Sequence, residues 1–374
     1  MKRSLSLLLT AALALSLLAG CGPKTAADGS GSSAPGASSS DSSSSSQPGD
    51  TSKSDSSGDI SGDTSAASGR LPNFMVLSGP TGVGAAKLMS DHDSNAPASP
   101  IASYQVVTDN TQVQAALVNK DVDIAAIATN AAANLYAQSD GAIQVLAVNT
   151  LGVLYILEKG DTVHSMADLS GKTLYAPSNT KGANPEHILN HLLKGNGVDP
   201  SEVNIEWLTP QEITVKMTSD HAGICMLPVP AATALLVKDS GVREAVSLSQ
   251  AWEELEDSPL PMGCVVARTE YIEENPQGVE GFLSAYEKSI DYINGNEESG
   301  QLSGPSSPPA MVAQYEFTPN ATVAASAIPQ CSLTFVTGRE MKDMLEDYYT
   351  ILFQVEPKSI GGGLPYDNFY YGVS

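Results

Sequence analysis

The sequence predicts an α/β fold in two lobes, each a mainly parallel sheet flanked by helices, joined by two crossing segments. Three observations predict it. Short apolar runs alternate with helix-like stretches, the pattern that builds sheets with helical crossovers. The alternation comes in two successive series, and a helical tail then follows, long enough to return to the first lobe.

The chain of 374 residues opens on Lys2 and Arg3, continues with the apolar run Leu5 to Leu18, and closes that run with Leu-Ala-Gly-Cys at Leu18 to Cys21. This order reads as an export signal, and the run is too short for a spanning helix. Its end resembles the lipobox of bacterial lipoproteins, which implies cleavage before Cys21 and lipidation of its sulfur. Residues 1–20 are thus expected as a signal peptide and 21–70 as a lipidated cysteine followed by a linker. From Gly22 to Arg70 the only large aliphatic side chain is Ile60, so the stretch cannot bury a core. As a coil it would reach roughly 35 to 42 Å.

The first series of strand-like runs is Phe74–Gly79, Ser103–Thr108, Asp123–Thr129 and Ile143–Val148, with helical stretches such as Asn110–Lys120 between them. The second is Lys172–Pro177, Val203–Leu208, Gly223–Pro228 and Ala245–Ser249. Its helices are well signposted: Asn184 is an expected N-cap with Pro185 at the first helical position, and Thr209 with Glu212 spells a capping box. Gly263–Arg268 reads as a further strand, and helices are expected over Asn275–Asn294 and Gly338–Gln354. The crossings fall near Asn149–Leu157 and Pro261–Ala267, giving one lobe of 71–152 with 262–374 and another of 153–261.

Composition narrows the function classes. Without Lys2 and Arg3, 17 lysines and arginines face 42 acids, a net −25, which argues against nucleic acid or an anionic membrane face as partner. Cys225, Cys264 and Cys331 sit in apolar contexts without metal-ligand spacing and read as buried thiols, although one pair could bridge in an oxidising compartment. The glycine-rich stretch Ser78–Met89 is no phosphate cradle. Gly79 and Gly84 are spaced as in a nucleotide loop, but Ala85 and Ala86 precede Lys87, and position 87 lacks the third glycine of a dinucleotide fingerprint. Hydrolase and zinc-protease motifs are absent, and His187 with His191 supplies two of the three or four ligands zinc needs. No catalytic residue, cofactor or metal is expected.

The residues from Leu71 to Ser374 resemble an ABC-transporter solute-binding protein of the type II periplasmic-binding fold, near the group associated with nitrate, sulfonate, taurine and thiamine-pyrimidine uptake. Five stretches in order carry the likeness: Ser78–Met89, Asp121–Tyr136, Ala147–Lys159, Asp168–Leu193 and Pro357–Tyr371. The resemblance implies a lipid-anchored extracytoplasmic receptor, suited to a Gram-positive cell. It would be a monomer that closes on a small solute and serves a permease and its ATPase. Two alternatives share the fold: an enzyme like the pyrimidine-precursor synthases, which depend on an active-site histidine and iron, and a sensor lipoprotein without transport. None of the five histidines lies in the expected jaw loops.

Ligands of open α/β sheets sit outside the carboxyl ends of strands. One jaw is therefore expected from Ser78, Pro80, Thr81 and Gly82, from Thr129 and Asn130, and from Asn149 and Thr150. The other is expected from Asn179, Thr180, Lys181 and Gly182, with Pro228 beyond. Tyr136, Tyr155 and Tyr175 could stack on a flat ligand. The jaw loops hold no arginine, so helix N-termini and Lys181 would hold an anion, while a neutral heterocycle fits as well.

Overall fold

The computed structural model describes residues 69–96, 99–296 and 304–373. The expected signal peptide, the lipidation site Cys21 and the linker as far as residue 68 lie outside the described residues. Among the described residues no helix is long and apolar enough to cross a membrane.

The strands are β1 (Asn73–Leu77), β2 (Ser103–Val107), β3 (Ile124–Ala128), β4 (Ile143–Thr150), β5 (Leu154–Lys159), β6 (Thr173–Pro177), β7 (Asn204–Leu208), β8 (Gly223–Pro228), β9 (Val242–Ser247), β10 (Gly263–Arg268) and β11 (Leu333–Val336). They form two sheets, β11-β4-β10-β3-β1-β2 and β7-β6-β8-β5-β9, both flanked by helices. The chain passes from β4 in the first sheet to β5 in the second through Leu151 to Val153, and returns into β10 after the helix Leu248–Glu256. The fold class is the one expected, and each mainly parallel sheet is mixed by strands that run against the rest. β10 runs antiparallel to β3 and β4, and β5 antiparallel to β8 and β9. Each is a crossing strand that enters its sheet from the far side, against the direction set by the local βαβ units, β1 with β2 and β3 and β6 with β7 and β8.

The sequence signals fail in instructive places. β5 was hidden inside an expected crossing, and β11 interrupts the expected helical tail to edge the first sheet. The capping box forms in full, with Thr209 accepting from the Glu212 N–H and the Glu212 carboxylate accepting in return. Asn184 does not cap. It is the first residue of the helix Asn184–Gly195, whose cap is Ala183, and its side chain is engaged elsewhere. Arg70, expected as the linker's last residue, is already part of the fold, because its guanidinium donates to both oxygens of buried Asp123 at 2.8 and 2.7 Å.

Candidate functional site

A cavity of about 460 Å³ opens between elements of the two sheets. From the first sheet it is walled by Ser78 after β1, by Thr108, Asn110 and Gln114 after β2, and by Ala128 at the end of β3 with Asn130 and Asn134 beyond it; from the second by Asn179, Thr180 and Gly182 to Pro185. Met262, Lys358 and Ser359 complete it, the last two from the turn that follows the helix Gly338–Val355.

Its construction follows from local sequence. Gly79 has φ 103°, a left-handed conformation that glycine adopts without penalty, and it turns the chain from β1 into the short helix Pro80–Val83. Helices Thr129–Gln138 and Asn184–Gly195 begin at the cavity, and neither is capped by a side chain, since their N-caps are Ala128 and Ala183. Both therefore turn the positive end of a helix dipole toward the cavity, although the Thr129 N–H is already given to the Met262 carbonyl at 3.1 Å and the Glu186 N–H to the Ala183 carbonyl at 3.0 Å.

The helix Gly338–Val355 braces these two starts. Its fully buried Tyr348 donates to Asn184 Oδ1 at 2.9 Å, and its neighbour Tyr349, also fully buried, donates to the Thr129 carbonyl at 2.9 Å. Burial pushes both phenols well above their ordinary pKa, so they stay neutral donors. Farther along the first of these helices, Asn130 and Asn134 donate to the carbonyls of Ser359 and Lys358 at 3.4 and 3.1 Å and so hold that turn against the cavity.

Of the expected site residues the structure brings Ser78, Asn130, Asn179, Thr180 and Gly182 to this cavity. The Thr180 hydroxyl donates to the Pro177 carbonyl at 2.6 Å and shapes the loop. The others lie elsewhere. Pro80 and Gly82 belong to the short helix, and a Cβ at Gly82 would meet the Leu77 carbonyl and the Phe317 ring, both at 2.6 Å, so this glycine serves packing. Thr81, Asn149 and Thr150 are buried together, with Asn149 Nδ2 donating to the Thr81 carbonyl at 3.0 Å and to Tyr286 at 2.8 Å and Thr150 donating to Asn149 at 3.2 Å. Thr129 is fully buried, with a hydroxyl that has no partner among the described residues. Lys181 is exposed, and Pro228 pairs with Leu154 in the second sheet; neither lines the cavity.

The three tyrosines expected to stack are also engaged elsewhere. Tyr136 bonds to Asn368 at 2.5 Å, Tyr175 lies under the Lys216 ammonium 4.6 Å from its centroid, and Tyr155 packs within the apolar clusters. His191 pairs with Glu256 at 2.6 Å beside Trp252 rather than with His187.

Sequence reasoning missed Thr108, Asn110, Gln114, Asn134, Lys358 and Ser359 as wall residues. A signal existed for three of them, Asn110, Gln114 and Asn134. Asn110 with Gln114 and Asn130 with Asn134 are carboxamides four residues apart, hence on one helix face, in the helices that follow β2 and β3.

A second cavity, of about 380 Å³, lies near the start of β4 and the end of β10. Only elements of the first sheet line it, and its charged groups are already paired, Glu270 receiving Lys120 at 2.5 Å and Arg268 at 2.9 Å. The thiols of Cys225, Cys264 and Cys331 are free and buried, and burial pushes each up to about 12, so they are inert.

Residues 108–299 match the family described as NMT1/THI5 like, a span of half the chain. A Brucella abortus (strain 2308) chain named only as a binding protein is 23% identical over 164 residues, which are 44% of this chain and 49% of that one. The chain thus spans about half the length of the curated relatives it matches. Among solved structures, an ABC transporter from Parabacteroides distasonis superposes with a TM-score of 0.63 at 22% identity, covering 80% of this chain and 98% of the other. The periplasmic aliphatic sulphonate binding protein SsuA of Escherichia coli gives 0.59 at 17%, covering 77% and 94%. At these identities the likeness is one of fold.

Proposed function

The chain belongs to the NMT1/THI5-like family, and on that premise we propose that it is the substrate-binding protein of an ABC importer, not an enzyme, closing two lobes around a small solute and passing it to a permease served by an ATPase. The observation that carries the reading is the cavity itself: helix starts from both sheets face one space, and among the described residues the chain runs between the sheets only at the β4–β5 link and the return into β10. A solute gripped from both sides favours the closed form through contacts the open form lacks. The lobes of this reading are 71–152 with 262–374 and 153–261, and the wall residues above replace most of the expected contacts. The binding proteins among the curated and structural neighbours support it.

The N-terminal pattern extends the proposal to a monomer held on the outer face of the membrane by a lipid on Cys21, as in a Gram-positive cell. Fatty-acid labelling that marks the wild type and spares Cys21→Ser is the expected outcome; equal labelling of both refutes the anchor. For the function, protein purified under native conditions and then unfolded should release one small molecule in stoichiometric amount, detected by mass spectrometry. A protein that releases none, and gains no thermal stability from any solute in a broad transport panel, is not a solute receptor.

A further inference from the structure

Resting on the receptor reading, we infer that the solute carries both hydrogen-bond donors and acceptors and is a carboxamide or ureido compound rather than a bare oxyanion. The polarity of the cavity wall is fixed by bonds the wall makes to its own backbone. The Ala128 N–H can only donate, and it donates to Asn110 Oδ1 at 3.1 Å, so Asn110 turns its NH2 the other way. Carbonyls can only accept: that of Ser359 takes Asn130 Nδ2 at 3.4 Å, and that of Ala131 takes Gln114 Nε2 at 3.1 Å. Asn130 and Gln114 therefore present oxygens.

None of these three remaining ends, Asn110 Nδ2, Asn130 Oδ1 and Gln114 Oε1, makes a hydrogen bond among the described residues. None is among the buried unpaired atoms either, so all reach accessible space in residues that line the cavity. From the opposite wall, Asn184, held by Tyr348 through its oxygen, presents a second NH2.

The wall thus offers amide donors and amide acceptors together. An oxyanion has only acceptors and would leave two carboxamide oxygens facing it without a proton, a costly mismatch in a partly desolvated site. An amide or ureido group matches both kinds. Among the described residues the wall contains no aromatic ring on which a flat heterocycle could stack, and its one charged side chain is Lys358, which suits a carboxylate elsewhere on the same solute.

Thermal shift on the full protein stripped by unfolding and refolding tests this with two probe sets. The first is nitrate and methanesulfonate; the second is glutamine, citrulline and ureidoacetate. The expected result is a saturable rise in melting temperature with at least one member of the second set and none of the first. One isosteric variant then reads the polarity directly with the best probe. Asn110→Asp replaces a presented donor with an oxygen and keeps the Ala128 bond, so it should weaken binding about tenfold or more, the loss of one well-placed hydrogen bond. Lys181→Gln, exposed and outside the cavity wall, makes the same change in net charge and should stay within about threefold. Equal losses in the two variants, no loss with Asn110→Asp, a saturable shift with nitrate or methanesulfonate, or silence from all three amides overturns the assignment. Binding of an oxyanion would leave the receptor reading standing, and in every case that reading keeps its own test in the released small molecule.

Discussion

Asp123 shows how a single buried acid organises its surroundings. At 2% exposure it accepts from Arg70, from Arg268 at 2.6 Å and from the Asn73 N–H at 2.9 Å. Burial alone would raise its pKa, but the Arg70 hydrogen bond, the Asn73 N–H and Arg268 outweigh it and hold the carboxyl below its ordinary value. A carboxylate lowered on folding stabilises the fold above the ordinary Asp value of 3.8 and loses that contribution as pH falls through the lower folded value. Asp123→Asn leaves the nearly buried Arg268 with Glu270 as its one carboxylate partner among the described residues, beside the Val122 carbonyl, so it should cost about 3 kcal/mol in urea unfolding at pH 7. The gap between wild type and variant should narrow below about pH 3.8 as the wild type loses the same charge. Asn149 teaches a complementary lesson. A polar residue at a strand's carboxyl end looks like a ligand contact in sequence, but this one bonds the Thr81 carbonyl and Tyr286 inside the first sheet's core. Asn149→Ala should cost about 2 kcal/mol of stability by leaving buried groups unpaired.

Among the elements, those with local signals were the most legible. The capping box at Thr209 and the proline that opens Asn184–Gly195 mark helix starts through contacts within four residues, which sequence displays directly. Thr209→Ala should lower stability by about 1 kcal/mol and raise amide exchange in the first turn of Pro210–Ser219. The bracing role of Gly338–Val355 was invisible, because its periodicity announces an amphipathic helix and says nothing about which hydroxyl reaches which distant helix. Tyr348→Phe and Tyr349→Phe should each cost about 1 kcal/mol. Amide exchange should separate them, the first loosening the start of Asn184–Gly195 and the second that of Thr129–Gln138. The antiparallel entry of β5 and β10 was illegible for a related reason: an apolar run shows burial but not direction.

For the whole molecule, two series of strands and a returning tail were enough to give the two-sheet plan, since alternation and chain order are properties of sequence. The cavity was only half legible. Loops that end strands could be located, yet the choice between Asn130, which lines it, and Thr129, which is buried beneath it, depends on where a helix begins, to within one residue. The central claim is that a solute held between the sheets draws them together. Val118 and Val215, both 60% exposed, lie on helices flanking different sheets and offer two labelling sites. The three native thiols in the folded part are too buried and too basic to compete. With Cys21 replaced by serine and spin labels on Val118→Cys and Val215→Cys, pulsed electron resonance on protein stripped of solute should give a broad distance distribution. Reloading with the small molecule released on unfolding should shift and narrow that distribution in proportion to occupancy. A distribution unchanged at full occupancy would contradict closure and the receptor mechanism built on it.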